Sequence, residues 1–120
     1  MPDRVREEVK KYVSGLHTIA TVSPFSSENL ATITLFLEGG DRVFLFFHSD
    51  GTENQRAPTF KTVGPLKQGH VPVPFSRYEQ MLDLLRNESP HVDFKVEDEE
   101  ILSFRLQSGM EPAGEGEQDD

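Results

Sequence analysis

Apolar and polar residues alternate through residues 30–48, and this pattern predicts two β-strands joined at Gly39-Gly40. A glycine pair favours a two-residue hairpin loop, because such a turn needs a positive φ at both central positions. A loop centred on this pair places Ile33 opposite Phe46 and directs one apolar face toward the core. The residues expected on that core face are Ile33, Leu35, Phe44 and Phe46.

The opposite face of the second strand is also apolar, since it carries Val43, Leu45 and Phe47. A strand that is apolar on both faces is usually covered on both sides. We therefore expect either a helix of the same chain or a second chain to cover these three residues. They are accordingly the candidate interface residues.

Two further segments show the spacing of amphipathic helices. In residues 3–14, Val5, Val9 and Tyr12 recur at helical intervals, and in residues 76–87 an apolar stripe follows a Ser-x-x-Glu capping box. Strand-type alternation fills most of the remaining chain up to residue 107. The predicted class is therefore α+β, with the order α-β-β-β-β(-β)-α-β-β. We expect a curved, mainly antiparallel sheet or a partly open barrel with two packed helices.

Length and charge limit the kinds of protein that this chain can be. It has 120 residues and a formal net charge of −9. We interpret residues 1–107 as a single domain and residues 108–120 as a disordered acidic tail, because that segment has five acidic residues and no lysine or arginine. Cysteine is absent, which excludes disulfides and thiolate metal sites. No apolar stretch is long enough to span a membrane, so we expect a cytoplasmic protein that does not bind membranes.

The candidate chemistry lies at the end of the hairpin and in the polar loop that follows it. His48, Asp50 and Arg56 form a candidate ligand-binding or partner-binding group, because strand ends and long loops often carry sites. A carboxylate beside a histidine can orient it for acid–base chemistry. The four histidines lack the short spacings of a metal site, and no motif for a nucleophile or a phosphate loop is present. We therefore expect neither a cofactor nor a metal, and we favour a non-enzymatic protein.

Three functions remain open at this point. The first is an interaction or oligomerisation module, in particular a homodimer. The second is a single-stranded nucleic-acid-binding sheet domain, which requires clustered basic residues because an acidic chain otherwise repels phosphates. Its candidate stacking and phosphate-contacting residues are Phe36, Phe47, Phe60, Arg42, Arg56, Lys61 and Lys67. The third is a small enzyme or ligand binder that uses residues 48–56.

Overall fold

A long first strand, β1 (Asp3–Thr21), pairs with two different neighbours along its length. The computed structural model describes residues 2–21, 29–49, 57–86 and 89–108. The other strands are β2 (Asn29–Leu37), β3 (Arg42–His48), β4 (Thr59–Val63), β5 (Leu66–Pro74), β6 (His91–Glu97) and β7 (Glu100–Gln107). A 3-10 turn (Phe75–Arg77) leads into the helix α1 (Tyr78–Arg86).

The strands form a closed barrel in the order β1-β2-β3-β5-β4-β7-β6, and β6 pairs back with β1. β3 and β5 are parallel, whereas the other neighbouring pairs are antiparallel. The predicted α+β class with two packed helices is wrong. The described residues form a closed seven-stranded barrel with one short α-helix. A partly open barrel was only an approximation to this arrangement.

Residues 3–14 belong to β1 and do not form the predicted helix. Val5 and Val9 are four positions apart, and an even spacing keeps them on one face of a strand as well as of a helix. A register shift between Val9 and Lys11 then brings Tyr12 back to the inner face. Val9 is buried, and Val5 and Tyr12 pack against the core. The apparently helical spacing is therefore produced by a strand with one bulge.

The turn between β2 and β3 determines which side chains of β3 enter the core. It spans residues 38–40 instead of the two glycines alone, and the Leu37 N–H donates to the Asp41 carbonyl oxygen at 2.9 Å. Gly40 has a φ of 100°, a left-handed conformation that glycine adopts without the steric cost of a Cβ. A three-residue turn with glycine in this conformation is a common hairpin connection. It shifts the pairing by one residue from the prediction.

The shifted register pairs Leu35 with Val43, where the sequence predicted a pair with Phe44. Because strand side chains alternate between faces, this one-residue slip moves every β3 side chain to the opposite face. The predicted core face is therefore correct for β2 and wrong for β3. The inward side chains of β3 are Val43, Leu45 and Phe47, and its outward ring side chains are Phe44 and Phe46.

The barrel interior is filled by apolar side chains from all seven strands and from α1. Phe47 meets Tyr78 of α1 edge to face at 5.1 Å, and Phe60 meets Phe94 in the same geometry at 5.0 Å. The helix predicted in residues 76–87 is confirmed with slightly shorter bounds, as is the hairpin predicted in residues 91–107. Most of the predicted tail, residues 109–120, lies outside the described residues.

Candidate functional site

The residues predicted to form an interface lie inside the barrel. Val43, Leu45 and Phe47 each have 0% exposure in the single chain. They are covered by the other strands and by Tyr78 of α1, so the inner face of β3 needs no second chain to bury it. The apolar surface that remains accessible on this strand is its outer face.

The predicted group around His48 is described only in part, because Asp50 and Arg56 lie outside the described residues. His48 ends β3 and is 7% exposed, and its Nδ1 donates a hydrogen bond to the Ser49 carbonyl oxygen at 2.9 Å. Among the described residues, no three histidine, aspartate or glutamate side chains are grouped as a metal site would require. Within the same ranges, α1 is too short and too polar to cross a membrane.

A different surface stands out on the outside of the barrel, across five adjacent strands. The registers of β1, β2, β3, β5 and β4 align their outward side chains in three rows. We call these residues the aromatic face. Its members are Lys11, Phe36, Arg42, Gln68 and Lys61 in the first row, Val13, Thr34, Phe44, His70 and Thr59 in the second, and Gly15, Thr32, Phe46 and Pro72 in the third.

Three stacked rings form the centre of the aromatic face. The Phe44 and His70 rings lie 5.5 Å apart with an interplanar angle of 13°, and the Phe46 and His70 rings lie 5.9 Å apart at 23°. All three residues are only partly buried. Burial, followed by the charge of Lys61, lowers the pKa of His70 below its ordinary value. The imidazole is therefore mainly neutral at neutral pH and behaves as a third aromatic ring.

The cations of the aromatic face lie in its first row. Lys11 Nζ lies 5.4 Å and Arg42 Cζ 5.2 Å from the centre of the Phe36 ring, within the range of cation–π attraction. Neither these two cations nor Lys61 has a carboxylate of the described residues within 4.0 Å. No member of the aromatic face is Asp or Glu, although the whole chain has a net charge of −9.

The outside of β6 and the adjoining part of β1 are organised differently. Asp93 accepts two hydrogen bonds from Arg4, at 2.9 and 2.7 Å, and one from Arg6 at 3.1 Å. These hydrogen bonds, with that of Arg4 contributing most, hold the pKa of Asp93 well below its usual range. Here the charges are paired within the chain, whereas the cations of the aromatic face have no such partner among the described residues.

The sequence pattern predicts only part of the aromatic face. The aromatic face contains three of the residues predicted to contact single-stranded nucleic acid, namely Phe36, Arg42 and Lys61. Two others, Phe47 and Phe60, are buried in the core. Lys67 lies over the Phe60 ring at 5.7 Å. The residues that were missed are Phe44, Phe46 and His70. The alternation of His70, Pro72 and Pro74 with Val71 and Val73 signals which side of β5 is outward, but it does not identify β3 as the neighbour.

The chemistry available on the aromatic face is ring stacking, apolar contact and positive charge. It combines rings, threonines and a proline with cations along one edge, and aromatic residues and arginine are enriched where proteins bind one another. Rings and cations can also bind single-stranded bases and phosphates. No protein-family model, curated protein or solved structure gives a significant match to this chain.

Proposed function

We propose that the protein is a non-enzymatic interaction module that self-associates through the aromatic face. The observation that carries the proposal is a continuous outer surface with partly exposed rings and no carboxylate, on a chain with a net charge of −9. Exposed apolar surface adds to the rings, because Val13 in the second row is 62% exposed. Contiguous surface of this kind is typical of a binding site.

The lack of carboxylates makes the aromatic face the surface on which a second copy of the chain meets the least repulsion. Two copies with a net charge of −9 repel each other, and carboxylates brought together at an interface add to that repulsion. The aromatic face is a surface on which two copies can meet without carboxylates. Its cations occupy one edge, so a two-fold arrangement with opposed strand directions keeps the two cationic edges apart.

The size of the aromatic face sets the expected affinity. Five strands at about 4.8 Å spacing and three rows of side chains cover roughly 400 Å², half of the ~800 Å² that each partner buries in a standard interface. We therefore expect a reversible dimer with a dissociation constant in the micromolar range or weaker.

Sedimentation velocity over a wide range of protein concentrations tests this proposal. We expect Phe46→Asp to raise the Kd for self-association by about 30-fold or more, because it places a charge among rings that a second copy would desolvate. Leu102→Asp is the matched control: Leu102 lies on β7, outside the aromatic face, and is 51% exposed. It introduces the same negative charge, and we expect it to leave the dimer unaltered. Wild-type protein that stays monomeric at every concentration refutes the proposal, as does a folded Phe46→Asp variant that dimerises normally.

Single-stranded nucleic-acid binding is the second candidate, and the cationic first row favours it. Lys11 and Arg42 flank the Phe36 ring, and Lys61 lies in the same row. This function predicts that a labelled oligonucleotide binds at low salt, that binding weakens steeply as salt rises, and that Arg42→Glu weakens it further. Lys95→Glu, an equal charge change on β6, is the control. The absence of oligonucleotide binding at low salt removes this candidate.

A further inference from the structure

A second apolar surface lies away from the centre of the aromatic face, in a groove between α1 and the ends of β5 and β7. The groove encloses a cavity of about 400 Å³. Its floor includes Met81 and Leu84 of α1 and Phe104 of β7, which are partly buried and pack against the core. The floor is therefore continuous with the barrel interior and leaves apolar side chains partly accessible.

Two arginines line this groove. Arg77 precedes α1 and Arg105 lies near the end of β7, and both residues are exposed. The carboxylates of the described part of the chain lie beyond 4.0 Å from both guanidinium groups. In contrast, Arg86 at the other end of α1 pairs with Asp83 at 3.1 Å. An apolar floor bordered by two arginines fits an acidic segment with at least one apolar side chain.

We propose that residues 109–120 of the same chain dock in this groove. This segment follows Ser108 directly, and Arg105 and Leu106, only a few positions earlier, already line the groove. It contains an apolar side chain, Met110, two positions beyond Ser108. Its acidic residues are Glu111, Glu115, Glu117, Asp119 and Asp120, and it has no lysine or arginine. Its composition therefore complements both the floor and the arginines.

Length and covalent attachment make this docking feasible. Twelve extended residues reach about 40 Å, well beyond the dimensions of the groove. Attachment to β7 gives the segment an effective concentration of about the millimolar range, so weak ion pairs and one apolar contact suffice to populate the docked state. The segment would then shield the partly exposed Met81 and Leu84 from other proteins. This inference does not depend on self-association through the aromatic face.

Paramagnetic broadening in the full chain tests the docking directly. The chain has no cysteine, so Gln118→Cys carries a single nitroxide label without changing the charge of the segment, and an undocked label at this position can lie about 33 Å from Ser108. With 13C-methyl methionine, we expect the Met81 methyl signal to lose most of its intensity until the nitroxide is reduced. Arg77→Gln combined with Arg105→Gln should restore the signal, and raising the salt concentration should restore it in part.

Control variants distinguish the groove from other docking positions. Arg42→Gln combined with Lys61→Gln removes two charges from the aromatic face and should leave the broadening of Met81 intact. Loss of broadening in that variant instead would place the segment on the aromatic face and overturn the inference. Mixing nitroxide-labelled protein with 13C-labelled protein detects docking of a second copy's segment, which also overturns it. A Met81 signal that is unaffected in the labelled full chain does the same.

Discussion

The two faces of β3 have similar side chains and very different surroundings. On the inner face, Phe47 has no exposed surface and meets Tyr78 edge to face. On the outer face, Phe44 and Phe46 are partly exposed, and their described ring contacts are with each other and with His70. The difference shows that hydrophobicity alone does not assign a role to a strand residue. The inner rings stabilise the fold, and the outer rings form the surface proposed for binding.

The largest expected effect contrasts Phe47 with Phe46. Phe47→Ala leaves a cavity in the packed interior and should lower the free energy of unfolding by about 3–5 kcal/mol. Phe46→Ala removes a partly exposed ring and should lower it by only about 1 kcal/mol, while it weakens self-association. Urea denaturation measures both free energies, and unchanged m-values exclude altered denatured states. Equal losses from the two substitutions would contradict the assignment of the two faces.

The second-largest expected effect concerns the turn between β2 and β3, which determines which side chains of β3 face inward. Gly40 has a φ of 100°, so Gly40→Ala should cost about 1–2 kcal/mol of folding free energy through backbone strain. The nearest atom to the added Cβ is Leu66 Cδ2 at 3.5 Å, an ordinary contact, so crowding contributes little. Gly15→Ala in β1 is the control, because its φ is not positive and no atom lies within 4 Å of the new Cβ. It should change the unfolding free energy by less than about 0.5 kcal/mol. Similar costs at both glycines would show that the turn does not depend on a left-handed residue.

The turn between β2 and β3 also marks the limit of what could be predicted from the sequence. The helix in residues 76–87 and both hairpins were predictable, because an apolar stripe at helical spacing and strand alternation are local properties. The register of β2 and β3 was not, since a two-residue and a three-residue turn both fit the glycines and differ by one position. This one-residue difference in register places Val43, Leu45 and Phe47 on the inner face of β3, where Phe44 and Phe46 were predicted. The predicted interface residues therefore lie in the core.

Barrel closure and the aromatic face depend on contacts that are distant in the sequence. His70 stacks on Phe44 because β5 pairs in parallel with β3, with β4 inserted between them in the sequence but not in the sheet. The return of β6 to β1 likewise joins opposite ends of the described chain. Residues 3–14 satisfied both helical and strand spacing, and pairing with β2 and β6 decided between them. The local sequence pattern therefore predicted individual strands and the helix α1, but it could not predict the surface that they form together.

The smallest expected effect is the dependence of the unfolding free energy on the protonation of His70, which stacks on the outer face of β3. The inner face of β3 has no titratable side chain. The pKa of His70 is lowered by burial and by Lys61, so in acid the unfolded chain binds a proton more readily than the folded chain. The contribution of His70 to stability is therefore complete above its ordinary pKa of about 6.5 and declines as the pH falls through and below that value. Protonation also adds a charge to each aromatic face, so a dimer weakens in acid, whereas oligonucleotide binding strengthens.

His70→Phe keeps a stacked ring and removes the titration, which isolates this effect. We expect the variant to lose only the decline in unfolding free energy, and the weakening of the dimer, that His70 contributes just below about pH 6.5, while the contribution of Asp93 at lower pH remains. His91→Gln is the control, because His91 lies on β6, outside the aromatic face. Its Nδ1 donates a hydrogen bond to the Ser89 carbonyl oxygen at 2.7 Å. Chemical denaturation and sedimentation at matched pH values measure the two quantities. If His70→Phe and wild type follow the same pH curve, the outer ring stack does not respond to protonation, and the two faces of β3 differ only in burial.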